Sequence, residues 1–146
     1  MGVGNASQDI IIHQVRSLSD VGIVACKARQ LAEDIGFNSV AQEEIKISAN
    51  ELASNLIVHG AVEGQIYLYQ LHRHDVSGIA LVSSDHGPGI ASISSAMADH
   101  RSTAGSMGCG LGAVKRLMDD FDIISTPDEE HKARASHHAF KGGTLI

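Results

Sequence analysis

Three polar residues recur at four-residue intervals near the middle of the chain: Glu51, Asn55 and His59. Because an α-helix returns to nearly the same side every four residues, this spacing aligns them in one polar stripe. A carboxylate and a carboxamide one turn apart supply hard oxygen donors for a divalent cation and a general base. The same pattern is typical of an ordinary exposed helix face, so the stripe alone leaves both interpretations open.

Two glycine-rich segments follow this stripe. Residues 85–89 (DHGPG) come directly after an apolar run, where an aspartate at a strand end can accept a hydrogen bond from a ligand amino group. Residues 108–112 (GCGLG) precede an amphipathic segment, and backbone N–H groups at the start of a helix favour phosphate. An ordinary turn and a flexible helix entry are the structural alternatives. The second segment matches neither a Walker loop nor a Rossmann fingerprint, because no GK[ST] follows and the spacing is GxGxG.

Hydrophobic periodicity predicts the elements that must position these residues. Ser19 and Asp20 are candidate caps of a first helix that Gly36 ends, and Ser39 with Gln42 forms a capping-box pattern for a second. Shorter helices are expected around residues 93–97 and 111–121. Strands are predicted at residues 9–15, 65–71, 77–84, 121–126 and 143–146, with a polar turn at 72–76.

The order of these elements predicts the fold class. Strand pairs that alternate with helix pairs favour an α+β two-layer sandwich over a doubly wound parallel sheet. We expect a mixed, mostly antiparallel sheet with the helices on one face. The length of 146 residues fits a single domain over residues 1–146.

Composition excludes several classes of function. The net charge is −6 and no basic run is interleaved with aromatic residues, which argues against a nucleic-acid partner. No apolar stretch approaches the ~20 residues of a membrane span, and no signal peptide is visible. Cys26 and Cys109 lie far apart without metal-ligand spacing. We therefore expect a cytoplasmic protein with reduced thiols.

Taken together and in this order, the segments ELASN, DHGPG, GCGLG and GGT resemble the N, G1, G2 and terminal Gly-Thr boxes of the GHKL (Bergerat-fold) ATPases. The segment from DHGPGI to GLGAVKRLMDDFDI is similar to that of the bacterial anti-sigma-factor serine/threonine protein kinases. Among these switch kinases, the RsbT type is nearer than the RsbW type. The resemblance covers roughly residues 9–126 and the last few residues, and it implies the Bergerat ATP-binding fold.

The resemblance implies a role for each box. Glu51 would act as the base toward a substrate hydroxyl, and Asn55 would bind Mg²⁺. Asp85 would pair with the adenine amino group of ATP, and residues 90–107 would form a lid. The other residues expected to contact ATP are Gly87, Gly89, Arg101, Gly108, Gly110, Gly112 and Thr144, with Lys115 as a further candidate for phosphate.

The resemblance also implies a function: an ATP-dependent serine/threonine protein kinase that works as a partner-switching regulator. Its substrate would be a STAS-domain antagonist protein, and its second partner a PP2C-type phosphatase or a sigma factor. A homodimer is left open. Two other interpretations remain: a non-catalytic ATP-binding or docking module of the same fold, and the detached ATPase half of a histidine kinase.

The sequence departs from the family pattern in three places. Cys109 stands where leucine is common. Residues 127–141 form an insertion in a final hairpin that is normally tight. Only two residues follow Thr144, so the last strand is expected to be short and the adenine side of the site weakly walled.

Overall fold

A computed structural model describes residues 10–58, 63–73, 76–85, 110–126 and 134–145. These residues form five strands and three helices. In chain order they are β1 (Ile11–Gln14), α1 (Leu18–Ile35), α2 (Ser39–Val58), β2 (Gln65–Arg73), β3 (Val76–Asp85), α3 (Leu111–Leu117), β4 (Asp120–Thr126) and β5 (Arg134–Leu145). The helix predicted around residues 93–97 lies outside the described residues. Within the described part of the chain, every helix is too short or too polar to cross a bilayer.

The five strands form one sheet in the order β1-β2-β3-β5-β4. All four pairings are antiparallel, so β3 and β4 run in the same direction with β5 lying between them. The predicted α+β two-layer architecture is confirmed. The sheet was expected to be mixed and mostly antiparallel, and it is antiparallel at every described pairing because β5 separates the two strands that could have paired in parallel.

The last strand differs most from expectation. β5 contains 12 residues and begins at Arg134, well before the predicted start at Gly143. Residues 134–141, predicted to belong to an insertion, are strand residues that pair with β3 on one side and β4 on the other. The prediction of a short last strand was therefore wrong. The physical reason is that two neighbouring backbones define this strand, whereas its own residues alternate poorly between polar and apolar.

Both long helices pack on one face of this sheet. Ile66 and Leu68 of β2 and Ile79 and Leu81 of β3 alternate along their strands toward that face, and all four are fully buried. They join the buried stripes of the helices, which are Val24, Ala28 and Ala32 in α1, Ile45, Ala49, Leu52 and Leu56 in α2, and Leu111 and Val114 in α3. The predicted apolar stripe of α2 is therefore the centre of the core.

The start of α1 is capped by Ser17 and not by Ser19. Asp20, expected as a cap, lies at the third helical position, and its carboxylate accepts hydrogen bonds from the backbone N–H groups of Arg16 (2.8 Å) and Ser17 (3.1 Å). The side chain of His13 adds a contact from β1 (3.2 Å). The hydrogen bond from Arg16, followed by that from His13, lowers the pKa of Asp20 below its ordinary value.

At the junction between α1 and α2, the end of α1 agrees with the prediction and the cap of α2 does not. Gly36 ends α1 as predicted, with φ at 109°, a backbone conformation that favours glycine. The cap of α2 is Asn38 and not Ser39, because the Asn38 side-chain oxygen accepts the N–H of Ala41 at 2.8 Å. The side chain of Gln42 reaches back, as a capping-box residue does, but to the carbonyl before Asn38.

Two further boundaries differ from the prediction. β2 and β3 pair as far as Arg73 and Val76, so their connection is shorter than the polar turn predicted at residues 72–76. Phe121 belongs to β4 and not to the helix before it. In both cases backbone pairing extends a strand through residues whose side chains favoured another assignment.

Candidate functional site

Glu51 is a buried carboxylate in the middle of α2, with 4% of its surface exposed. The carboxylate accepts a hydrogen bond from the backbone N–H of Gly110, at the start of α3. Burial raises the pKa of Glu51 above its ordinary value, and the hydrogen bond from Gly110 opposes this rise only in part. A carboxylate with a raised pKa is a stronger proton acceptor, which suits a general base.

The second glycine-rich segment contacts α2 through Gly110. The backbone of Gly110 has φ at 70° and ψ at −145°, a conformation that glycine tolerates and that is strained for other residues. A glycine at this position therefore permits the turn into α3. Leu111 and Val114 anchor α3 in the core, and Gly112 is buried in the first turn. Lys115 lies exposed in the last turn of α3. The structure thus brings Glu51 and Gly110, predicted from two separate motifs, into direct contact.

Asn55 follows Glu51 by one turn of α2 and is half-buried. Residues four apart are neighbours on a helix, so Asn55 and Glu51 lie on the same side of α2. His59, the third member of the predicted stripe, lies outside the described residues.

Asp85 is the last residue of β3 and is half-buried. Strand alternation places it on the side of the sheet that Ile79 and Leu81 share with the helices. Ser84 pairs with Gln65, the first residue of β2, which follows α2 after a short connection. The end of β3 and the C-terminal half of α2, which carries Asn55, therefore lie at the same end of the molecule.

Thr144 is not part of this site. The antiparallel register pairs Thr144 with Ser77 near the start of β3, whereas Asp85 pairs with Ala135. Thr144 is thus separated from Asp85 by almost the full length of the strand, about 26 Å at the rise of an extended chain. Gly143, predicted to begin the strand, lies at an irregularity in the register beside Ser77. The assignment of Thr144 to the adenine site is corrected because β5 begins earlier than predicted.

The remaining predicted site residues lie outside the described residues. They are Gly87, Gly89, Arg101 and Gly108, together with Cys109 and residues 90–107.

Ser83, which none of the motifs includes, lies two residues before Asp85 on the same side of β3. Its hydroxyl is buried and has no hydrogen-bond partner within the described part of the structure. The available signal was a polar residue inside the apolar run GIALVSS. The contact between Glu51 and Gly110 had no such signal, because only folding brings the two residues together.

Comparison with known proteins decides the family. Residues 16–136 match the histidine kinase-like ATPase domain. The chain belongs to the histidine kinase-like ATPase family. The predicted α+β fold and membership of the GHKL superfamily are confirmed.

Individual relatives refine this assignment. The chain is 37% identical over 123 residues to the serine/threonine-protein kinase RsbT of Bacillus subtilis (strain 168), covering 83% of this chain and 92% of that protein. The predicted resemblance to RsbT-type switch kinases is thereby confirmed. The structure is also similar to the mycobacterial sensor histidine kinase MprB, with a TM-score of 0.54, 12% sequence identity, and coverage of 94% of this chain and 100% of that chain. This second likeness shows the shared fold.

Proposed function

We propose that this chain is a serine/threonine protein kinase that transfers the γ-phosphoryl group of ATP to a hydroxyl of a partner protein. The observation that carries the proposal is the hydrogen bond between the Glu51 carboxylate and the Gly110 N–H. It holds a buried carboxylate of raised pKa against the glycine segment expected to surround the phosphates. The 37% identity to a serine/threonine-protein kinase supports a hydroxyl as the acceptor.

ATP would lie between the end of β3, the C-terminal half of α2 and the start of α3. Asp85 would accept a hydrogen bond from the adenine amino group, because a carboxylate at a strand end is an acceptor for such a donor. At the other end of the nucleotide, Gly108, Gly110 and Gly112 would surround the phosphates with backbone N–H groups. Arg101, Gly87 and Gly89 remain predicted contacts, and Lys115 is a further candidate for phosphate.

Asn55 fits the magnesium ion that ATP carries. Its half-buried carboxamide supplies a hard oxygen donor beside Glu51. Mg²⁺ at nucleotide sites takes few protein ligands and completes its shell with phosphate oxygens and water. When bound, it would supply neutralisation of the charge that develops on the phosphates.

Glu51 would take the proton of the acceptor hydroxyl. As the hydroxyl oxygen forms its bond to the γ-phosphorus, the bond from that phosphorus to the leaving ADP breaks, and the hydroxyl proton passes to the carboxylate. The carboxylate then releases the proton to solvent. The N–H of Gly110 fixes the position of the carboxylate so that it can receive the proton.

The partners follow from the family resemblance. We propose a STAS-domain antagonist protein as the phosphorylated substrate, and a PP2C-type phosphatase or a sigma factor as the second partner. We propose a cytoplasmic location for the protein, because the proposed reaction consumes ATP. A short last strand would have favoured the alternative of a non-catalytic docking module, and the 12 residues of β5 remove that argument.

The test is a phosphotransfer assay with radiolabelled ATP, Mg²⁺ and a candidate STAS-domain protein. We expect Glu51→Gln to reduce the transfer rate by roughly 100-fold or more, because the general base is removed, while ADP still binds. Asn55→Ala should weaken binding of ATP in the presence of Mg²⁺. Glu33→Gln, at an exposed position of α1, is the matched control and should retain full activity. Full transfer by Glu51→Gln, or phosphate found on a histidine, would contradict the proposal.

A further inference from the structure

Two apolar side chains lie exposed on α2 before the proposed base. Val40 is 67% exposed and Ile47 is 43% exposed. Glu51 follows Val40 after three turns of the helix and Ile47 after one, so all three lie on the same side of α2. Along the helix axis, Val40 and Ile47 precede Glu51 by about 16 Å and about 6 Å. We call these two side chains the Val40–Ile47 patch.

The proposed nucleotide would lie toward the other end of α2. Asn55 follows Glu51 by one turn, and Asp85 lies at the same end of the molecule as the C-terminal half of α2. The start of α3 contacts Glu51 through the N–H of Gly110. An acceptor hydroxyl must reach Glu51 from a direction that neither ATP nor α3 fills. The N-terminal half of α2, which carries the Val40–Ile47 patch, offers such a direction.

Ile23 on α1 is an exposed isoleucine that does not share this position. It is 44% exposed, almost the same fraction as Ile47. Lys27, one turn after Ile23, contacts His13 of β1 at 3.2 Å, whereas Arg29 contacts Glu43 of α2 at 3.0 Å. Ile23 therefore lies on the side of α1 that faces β1, away from α2. Exposure alone does not distinguish Ile47 from Ile23, but position relative to Glu51 does.

We propose that the Val40–Ile47 patch is the docking surface for the phosphoacceptor protein and binds an apolar surface of that protein beside its acceptor hydroxyl. This inference rests on the proposed kinase function. A protein acceptor must be held while its hydroxyl is aligned with the γ-phosphorus, and burial of apolar side chains supplies affinity without adding charge beside ATP. The two positions of the patch are about 10 Å apart along α2. The partner would therefore present two apolar side chains at that spacing.

The test measures binding of a STAS-domain protein to this chain by calorimetry, together with steady-state phosphotransfer. We expect Ile47→Ala to weaken binding of the acceptor and to raise its KM roughly 5- to 30-fold, as for truncation of a buried interface side chain. Val40→Ala should act in the same direction, and the double variant more strongly. The Kd for ATP and the kcat should keep their wild-type values, because docking and chemistry use different residues.

Ile23→Ala is the matched control variant, because it truncates the same residue type at the same exposure. It should retain the wild-type Kd and KM for the acceptor. Ile47→Leu, which keeps an apolar side chain of equal size, should retain most of the affinity. Thermal unfolding followed by circular dichroism verifies that all variants are folded, as expected for substitutions of exposed side chains.

Unchanged Kd and KM values for the acceptor in Ile47→Ala and Val40→Ala would overturn the docking surface. The same conclusion follows if these variants lose only self-association in sedimentation, or only binding of a PP2C-type phosphatase, because another partner then covers the patch. If wild type binds the acceptor but transfers no phosphate, the kinase proposal fails, whereas weaker binding by Ile47→Ala still supports the docking surface. If no STAS-domain protein encoded in the same genome binds wild type, both proposals are overturned.

Discussion

At the scale of single residues, the burial of Glu51 favours the proposed catalysis but lowers the stability of the folded protein. A carboxylate with 4% exposure loses most of its hydration, and one hydrogen bond from Gly110 compensates only in part, so its pKa rises. The raised pKa that improves Glu51 as a base also makes its ionised form unfavourable in the folded protein. The stability of the core alone would therefore not favour a glutamate at this position.

The raised pKa of Glu51 has a definite effect on stability. Between the ordinary pKa of 4.5 and the higher folded value, the native state binds more protons than the unfolded state. The free energy of unfolding therefore falls as the pH rises through this interval, and it stays lowered above it. We expect Glu51→Gln to raise the Tm at neutral pH by about 2–4 °C, corresponding to about 1 kcal/mol.

Thermal unfolding of wild type and Glu51→Gln as a function of pH checks this expectation. The gain in Tm should shrink as the pH is lowered and be smallest below the ordinary pKa of 4.5, where wild-type Glu51 is protonated in both states. In the kinase assay, wild-type activity should decline on the acid side as the raised pKa is crossed, because the base is then protonated. Glu33→Gln, at an exposed position, should show no pH-dependent gain. A lower Tm for Glu51→Gln than for wild type at neutral pH would contradict this interpretation.

At the scale of elements, one glycine inside α1 and the glycine that follows its last residue have equally open surroundings but different backbone conformations. Gly22 lies inside the helix and Gly36 ends it with φ at 109°, and an added Cβ would meet no atom within 4 Å at either position. Packing therefore has no influence on the outcome of substitution by alanine. Backbone conformation alone decides the sign of the change in stability.

We predict opposite effects for the two substitutions. Gly22→Ala should stabilise the protein by about 0.8–1 kcal/mol, since alanine is the better helix former. Gly36→Ala should destabilise it by about 1–2 kcal/mol, since a Cβ is strained in the left-handed region. Chemical denaturation of the two variants measures both values, and each is the control for the other. Two changes of the same sign would show that packing or the unfolded state dominates.

Hydrophobic periodicity predicted the elements whose signal is local. The stripe of Ile45, Ala49, Leu52 and Leu56 is buried as expected, and Gly36 ends α1. The caps were misplaced by one to three residues because several competent residues stand together. Ser17, Ser19 and Asp20 can all bond to free amides, and only the helical geometry selects among them.

Elements defined by distant partners were not predictable in the same way. The extent of β5 depends on two ladders, to β3 and to β4, which no local pattern encodes. The predicted start of β5 was compatible with Thr144 in the site, whereas the observed register places Thr144 beside Ser77, far from Asp85. By contrast, Glu51, Asn55 and Asp85 were located correctly on α2 and at the end of β3, since their own elements have clear local signals.

At the scale of the whole molecule, β5 joins the two halves of the sheet. Ala139 pairs with Leu81 on one side and with Phe121 on the other. A proline there would remove a backbone donor and disturb the strand between two neighbours. We predict that Ala139→Pro destabilises the protein by about 3 kcal/mol or more. If residues 134–141 were a dispensable insertion, the substitution would have little effect.

The control for this prediction lies at the other side of the sheet. Ile10 is exposed and precedes β1, an edge strand. Ile10→Pro should therefore change the free energy of unfolding by about 0.5 kcal/mol or less, as for most surface substitutions. Urea unfolding followed by circular dichroism distinguishes the two variants, and equal effects would contradict the central position of β5.

The central position of β5 also determines when the sheet can close during synthesis. Ribosomes release β3 and β4 before residues 134–145, although β5 is the strand that lies between them. Until it emerges, the nascent chain exposes an open edge on β3, and β4 lacks its described neighbour. At translation rates of about 5–20 residues per second, this interval is on the order of seconds. During that time, a strand from another nascent chain can pair with the open edge of β3.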